Sequence, residues 1–267
     1  MNRSDIPAPA TAEIFQATLA GHLPLSDFIR LSSTSVLVAG LGAGSNVAEL
    51  LVRKGVGRLL IADPGVYEHY DVRQRGSLAS TWGHPKAEVV RKRLQDVNPK
   101  AKITPVKMSS GSREMNALLD QVDYVVDALN FHALPTKLAL HRAARRRKKT
   151  VVTPCPVVNG AALWVFTPKG PAFEAFLACD GRPETASLRL LQRLVPESPP
   201  IPEDLRRAVA RGVRTPPLDA VGVDQAAVLA VAAIENLVLG RHKRVITVPR
   251  GLFVDVSEPG FLARVLE

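Results

Sequence analysis

The sequence predicts an α/β fold: a doubly wound, mainly parallel sheet with a C-terminal antiparallel extension. Three observations carry this. Short apolar runs (Val36-Leu37-Val38-Ala39, Leu59-Leu60-Ile61-Ala62, Tyr124-Val125-Val126) alternate with stretches whose apolar residues recur at helical spacing. A glycine-rich turn, Gly40-Leu41-Gly42-Ala43-Gly44, directly follows the first run, as at a strand-to-helix turn of a Rossmann-like sheet. A chain of 267 residues with 46% hydrophobic content is large enough for one full core.

The elements follow in order. Residues 12–31 offer Ile14, Leu19, Leu23, Leu25, Phe28 and Ile29, interrupted by Pro24. They read as a helical N-terminal arm over residues 1–31, with 32–267 as the main domain. After the first strand a helix runs from Ser45 to Lys54, and Gly55-Val56-Gly57 supplies the glycine expected past a helix C-terminus. The second strand ends on Asp63. Lys86 to Val97 places Val89, Val90, Leu94 and Val97 on one helical face, stopped by Asn98-Pro99. A strand at Ile103–Val106, a short helix at Glu114–Leu119 and a strand at Tyr124–Ala128 come next. A helix begins near Leu134 and leads into the strand at Val151-Val152.

Beyond Phe166, prolines 183, 196, 199, 200, 202, 216 and 217 punctuate a basic, polar excursion at about 180–217. Short helices near Leu188–Leu194 and Glu203–Ala210 are expected within it. Asp219–Leu239, closed by Gly240, is small and apolar all round, which predicts a helix buried against the sheet. Val245–Val248 and Phe253–Val256 read as antiparallel strands around the Arg250-Gly251 turn.

Composition excludes several classes. With only Cys155 and Cys179, 24 positions apart, there is no disulfide framework and no C-x-x-C zinc pair, and a reducing cytoplasm is the default. No signal peptide or membrane span is expected, since the apolar run Ala226–Ile234 is short and bounded by Gln225 and Glu235. The formal net charge is +10. Part of it is concentrated at Arg142, Arg145, Arg146, Arg147, Lys148 and Lys149. Cations there cap a helix C-terminus, and they could also attract an acidic protein tail or RNA. Aromatic content of 5%, with no aromatics interleaved in that run, makes nucleic acid an unlikely partner.

The chemistry concentrates between Ser35 and Lys86. Gly40, Gly42 and Gly44 allow a phosphate to approach backbone N–H groups at a helix N-terminus, where the dipole favours negative charge. Asp63 places a carboxylate about 20 residues on, where a ribose hydroxyl needs an acceptor. Arg73-Gln74 and Gly83-His84-Pro85-Lys86 add a basic rim. In a doubly wound sheet these segments and Asp127–Asn130 converge at the carboxyl ends of the strands.

Together with Asn98-Pro99, Asp123 and Asn159-Gly160, these residues resemble the adenylyltransferases that activate ubiquitin-like and sulfur-carrier proteins, the ThiF, MoeB and HesA group related to E1 enzymes. The resemblance covers roughly Ser35–Phe166 and resumes at Val221–Gly240. It implies an ATP-dependent enzyme that adenylates the C-terminal carboxylate of a small carrier protein or peptide, acting as a homodimer. In that reading Gly40, Gly42, Gly44, Asp63, Gln74 and Asp127 bind the nucleotide. Arg73 and Lys86 neutralise its phosphates and Mg²⁺ assists. The sequence departs from the family pattern at Asn130, where an aspartate that binds Mg²⁺ is usual, and at Gly65, where a second acid is usual. An amide can ligate Mg²⁺ through oxygen but brings no charge. Arg30 is a poor positional match for the arginine that the family sends into the partner subunit. Ala172 and Ala175 stand where a first zinc pair would fall, so structural zinc is not expected. Cys179 is a candidate thioester nucleophile, and Cys155 reads as a small buried thiol. The alternative to an active enzyme is a degenerate, scaffold-like member that keeps nucleotide or carrier binding. An NAD-dependent dehydrogenase would gain nothing from Gly83-x-Pro85-Lys86.

Overall fold

The computed structural model describes residues 23–108, 112–178, 207, 218–257, 260 and 262–266. The excursion helices predicted at 188–194 and 203–210, Cys179 and most of the N-terminal arm lie outside the described residues.

Helix α1 (Leu25–Ser33) opens the described chain. Pro24 is its N-cap, so the proline starts this helix instead of breaking it, as suits a residue with no N–H to donate. Strand β1 (Ser35–Ala39), helix α2 (Ala43–Arg53) and strand β2 (Arg58–Ala62) form the first crossover unit. Helix α3 (Lys86–Val97), strand β3 (Lys102–Pro105), helix α4 (Ser112–Leu119) and strand β4 (Tyr124–Asp127) follow. Helix α5 (Leu134–Arg146) then leads to strands β5 (Thr150–Val157) and β6 (Gly160–Phe166). Helices α6 (Phe173–Leu177) and α7 (Ala220–Val238) precede the closing strands β7 (Gly251–Asp255) and β8 (Leu262–Leu266).

The eight strands make one sheet in the order β3-β2-β1-β4-β5-β6-β7-β8. The β3-β2-β1-β4-β5 half is parallel, with Val38 opposite Ile61 on one side and Val126 on the other. The rest is antiparallel. Every residue of β1 is buried, because both faces of the sheet are covered. Leu37, Leu60 and Val125 pack with Met115, Leu119, Leu140 and Trp164 on one face. Val36, Val38, Leu59 and Ile61 pack with Leu51, Val90, Leu94, Ala227 and Ile234 on the other. Apolar runs without polar alternation are what such two-sided burial requires.

Helix α7 is long and apolar enough to cross a membrane by length and composition alone. Its Ala226, Ala227, Ala230 and Ile234 are instead fully buried, and it packs against α2, β5 and β6. Asp219 caps it through a hydrogen bond accepted from the Val221 N–H at 2.7 Å.

One predicted strand is absent. Val245–Val248 is not a strand: the chain makes a 3₁₀ turn at His242–Arg244, runs irregularly through 245–247 and turns again at 248–249. The segment stays apolar because Val248 seals the sheet edge, its N–H donating to Val165 O at 3.0 Å. Strand β7 instead lies antiparallel between β6 and β8, and the sequence pattern does not reveal β8.

Candidate functional site

The site is built where β1, β2 and β4 end. Gly40 has a φ of +88°, and a Cβ there would fall 2.3 Å from Ala128 O, so only glycine lets the turn press against the chain leaving β4. Gly44 provides the close helix-to-strand packing, displaced by a single position towards the N-terminus from where the dinucleotide fingerprint places it: a Cβ would meet Ala128 Cβ and Val38 Cγ1 at 3.0 Å. Gly42 is the N-cap of α2 and offers no side chain to the first turn. The amides of Ala43 and Gly44 are therefore left for an external anion, favoured by the helix dipole.

Asp63 closes this turn. Its Oδ2 accepts the Leu41 N–H at 2.6 Å and its Oδ1 accepts the Gly65 N–H at 2.8 Å. Each oxygen keeps a second lone pair, and the residue is part-exposed, so it can still accept a hydroxyl.

Lys86 begins α3 and is drawn to the site by the pairing of Val66 with Pro85 and by its own N–H donating to Gly65 O at 2.9 Å. Its Nζ lies 3.0 Å from Asp71 Oδ2, 3.4 Å from Gln74 Oε1 and 5.2 Å from the centre of the Tyr67 ring. Gln74 donates to Asp71 Oδ1 at 2.8 Å, and a Cβ on Gly42 would sit 3.6 Å from Gln74 Nε2. These contacts bring the glycine turn, Gln74, Asp63 and Lys86 into one cluster. Arg73 donates from one terminal nitrogen to Tyr70 O at 2.7 Å. Its Nε is buried with no hydrogen-bond acceptor among the described residues.

A second network, not foreseen from the sequence, anchors this cluster. Glu49 of α2 is buried, with Arg53 at 2.9 Å, Arg93 at 2.6 Å and Arg75 at 3.6 Å. Burial alone raises a carboxyl pKa, but hydrogen bonds and charge from Arg93 and Arg53 hold Glu49 below its usual range. Arg75 also grips Asp224 of α7 through two bonds at 3.0 and 3.1 Å, and its N–H donates to Asn46 Oδ1 at 3.1 Å. Arg75 follows Gln74 directly, so α2, α3 and α7 together fix the Arg73-Gln74 turn. A lone acid within an apolar helical run was the available sequence signal.

Asp127 ends β4, where the sequence places it, but its side chain is turned into the protein. It is fully buried, and both oxygens are engaged inside the protein. Lys137 Nζ lies 2.9 Å from Oδ1, His141 Nε2 3.0 Å from Oδ2, and the Leu129 N–H donates to Oδ1 at 3.2 Å. Burial acts to raise its pKa, yet the Lys137 charge and the His141 bond outweigh it and bring the pKa down to about 2. A carboxylate so enclosed supports the loop after β4 and does not face a ligand. That loop carries Asn130, which is exposed, its Oδ1 accepting the His132 N–H at 3.3 Å.

Burial pushes the Cys155 thiol up to about 12, so it is not a thiolate at neutral pH. His84 is exposed beside the cluster. The α2 amides and Lys86 are donors of the kind that suits a phosphate chain. For Mg²⁺ the fit is poor. Asn130 brings no charge and Asp63 already accepts two amides. No group of three or more His, Cys, Asp or Glu among the described residues is placed to hold a metal.

A sequence model of the ThiF family matches residues 17–243. The chain belongs to the ThiF family. This ThiF-family chain is 31% identical over 199 residues to the molybdopterin-synthase adenylyltransferase of Escherichia coli (strain K12), covering 73% of this chain and 71% of that protein. It is 38% identical over 101 residues to the tRNA threonylcarbamoyladenosine dehydratase of Bacillus subtilis (strain 168), covering 37% of this chain and only 40% of that protein. Its fold superposes on a crystal structure of E. coli MccB with AMPCPP and MccA at a TM-score of 0.65 and 15% identity, over 90% of this chain and 66% of MccB. The overall fold is thus shared with MccB.

Proposed function

We propose that the chain is an ATP-dependent adenylyltransferase that activates the C-terminal carboxylate of a small carrier protein or peptide. The observation that carries the reading is the single cluster at the strand ends in a ThiF-family chain. It joins an uncapped α2 N-terminus, Asp63 with spare lone pairs, and Lys86 beside Asp71 and Gln74. The relatives named for adenylyl transfer support the class of reaction. The carrier, a homodimeric assembly and a cytoplasmic setting belong to the same proposal.

In this reading Asp63 accepts the ribose hydroxyls, the α2 amides meet the phosphates, and Arg73 and Lys86 offset the charge that builds on them. A carboxylate oxygen of the partner attacks the α-phosphorus. The bond from that phosphorus to the bridging oxygen breaks, and pyrophosphate leaves with the electron pair. The acyl-adenylate remains. No general base is needed, because a C-terminal carboxylate is already ionised at neutral pH, so the residues contribute alignment and charge stabilisation.

One observation favours a second reading, a nucleotide-binding scaffold without adenylation. Asn130 supplies no carboxylate and its oxygen is engaged with its own loop. Calorimetric titration with ATP, with and without Mg²⁺ and with NAD as control, separates the two. Magnesium-dependent ATP binding is expected for the enzyme, and Mg²⁺-independent binding for the scaffold. No ATP binding, or tighter binding of NAD, would sink both. Lys86→Ala is expected to weaken ATP about 100-fold or more, the loss of a charge-assisted contact in a partly buried site. Asn130→Asp is expected to strengthen Mg²⁺ dependence.

A further inference from the structure

A cavity of about 530 Å³ lies at the other end of the sheet from this cluster, between the C-terminus of α5, the start of β5, the end of β6 and α6. Its walls carry Arg142, Arg145, Arg146 and Lys149, and Glu174 is the one carboxylate in the lining. A second open cavity of about 730 Å³ shares Arg145, Arg146 and Thr167 and adds Lys148 and Lys169.

Among the described residues, internal partners do not balance these charges. Glu174 is paired with Arg142, and Arg145 donates to Gly170 O at 2.6 Å. The side chains of Arg146 and Lys149 make no hydrogen bond or ion pair among the described residues. The chain also adopts a strained turn to present them. Lys148 has a φ of +56°, where glycine is the unstrained choice past a helix C-terminus. The turn is closed by Lys148 N–H to Arg145 O at 3.0 Å and Lys149 N–H to Ala144 O at 2.9 Å. Helix C-termini do favour cations, but that accounts for a solvated fringe and not for like charges gathered around a concavity floored by Val151, Phe166 and Phe173.

We propose that this cavity is an anion site, separate from the nucleotide cluster, that takes a small phosphate ester. Three arguments fix the class. Four cations against one carboxylate call for two or more negative charges, which a phosphate carries near neutral pH and a single carboxylate does not. Planar guanidinium groups match phosphate oxygens in bidentate fashion. The volume is that of a small-molecule pocket, and the rings in it are buried, with Phe166 5% and Phe173 3% exposed, so no aromatic face is offered for stacking the bases of a nucleic acid.

The site does not depend on adenylation, and the test keeps the two apart. Sodium pyrophosphate is titrated calorimetrically into the full chain, into the double variant Arg146→Gln with Lys149→Gln, and into Lys86→Ala. The expected result is a pyrophosphate site that Lys86→Ala keeps and the double variant weakens at least tenfold, while the double variant still binds ATP like the parent and melts at the same temperature. Loss of ATP binding in Lys86→Ala with pyrophosphate retained would support both sites. Pyrophosphate binding that the double variant leaves at full strength when the nucleotide cluster is saturated with ATP, or that is absent in the parent under the same condition, overturns the proposal. So does a 20-nucleotide RNA that binds through Arg146 and Lys149 without competition from pyrophosphate, since this would make the cavity a portion of a nucleic-acid surface.

Discussion

Gly40 and Asp127 sit on either side of one contact, and each tolerates little change. Any Cβ at position 40 would lie 2.3 Å from Ala128 O, on a backbone already in the left-handed region. Gly40→Ala should therefore displace the loop that carries Asn130 and lower the urea midpoint, with ATP affinity falling alongside. A variant with unchanged stability and affinity would show that the turn and the loop are not coupled. Asp127→Asn leaves the buried Lys137 without its counter-charge and removes the carboxylate partner of His141, and loss of about 3–5 kcal/mol is expected in urea unfolding. Acid should expose the same group. Asp127 is depressed to about 2 in the fold, so its contribution is complete above the unfolded carboxyl value near 4. It fades as pH falls from about 4 to about 2, by roughly 2 kcal/mol. Unfolding curves across pH 2–5 that are flatter in Asp127→Asn than in the parent would bear this out; parallel curves would refute it. At this scale the sequence was readable where a charged residue adjoins a glycine or proline turn, as Asp63 and Lys86 do. It did not show that Asp127 is enclosed, because Lys137 and His141 lie 10 and 14 residues away on a helix whose rotation against β4 is set by packing and not by local pattern.

Elements bounded by turn chemistry were legible, and elements interrupted by it were not. Lys86–Val97 was located to the residue because Pro85 and Asn98-Pro99 delimit it. Strand β5 is longer than Val151-Val152 suggested, since it runs on through Pro154 and Pro156. Both prolines lie beyond Val152, the last residue paired with β4, so that edge of the strand has no neighbour to supply with an N–H. The β7–β8 pair was misread for a related reason: Val245–Val248 is apolar enough for a strand, whereas β8 is half-exposed and carries Arg264. Helix α7 tests the capping argument. Asp219→Ala removes the acceptor of the Val221 N–H, and a loss of about 1 kcal/mol is expected in chemical denaturation. An unaltered midpoint would mean that water replaces the cap without loss.

For the whole molecule, alternation of apolar runs and helical stretches was enough to fix the sheet class, because parallel strands buried on both faces leave that signature. The Glu49–Arg75–Asp224 network was beyond it, since it joins residues from α2, the segment before α3 and α7 that meet only after the sheet has formed. Self-association belongs to this scale as well. Sedimentation at micromolar concentration should give twice the chain mass if the proposed homodimer forms, and a single-chain mass would remove it from the functional reading. The position of α7 in the chain has a consequence for biosynthesis. The face of the sheet that it covers is complete, apart from β7 and β8, once β6 has been made. The covering helix follows only after about 70 further residues, roughly 4–14 s of elongation at 5–20 residues per second. For that interval a nascent chain carries Val47, Val152, Leu163 and Val165 without the helix that covers them in the finished fold, and a chain stopped before residue 220 is expected to leave that apolar face open.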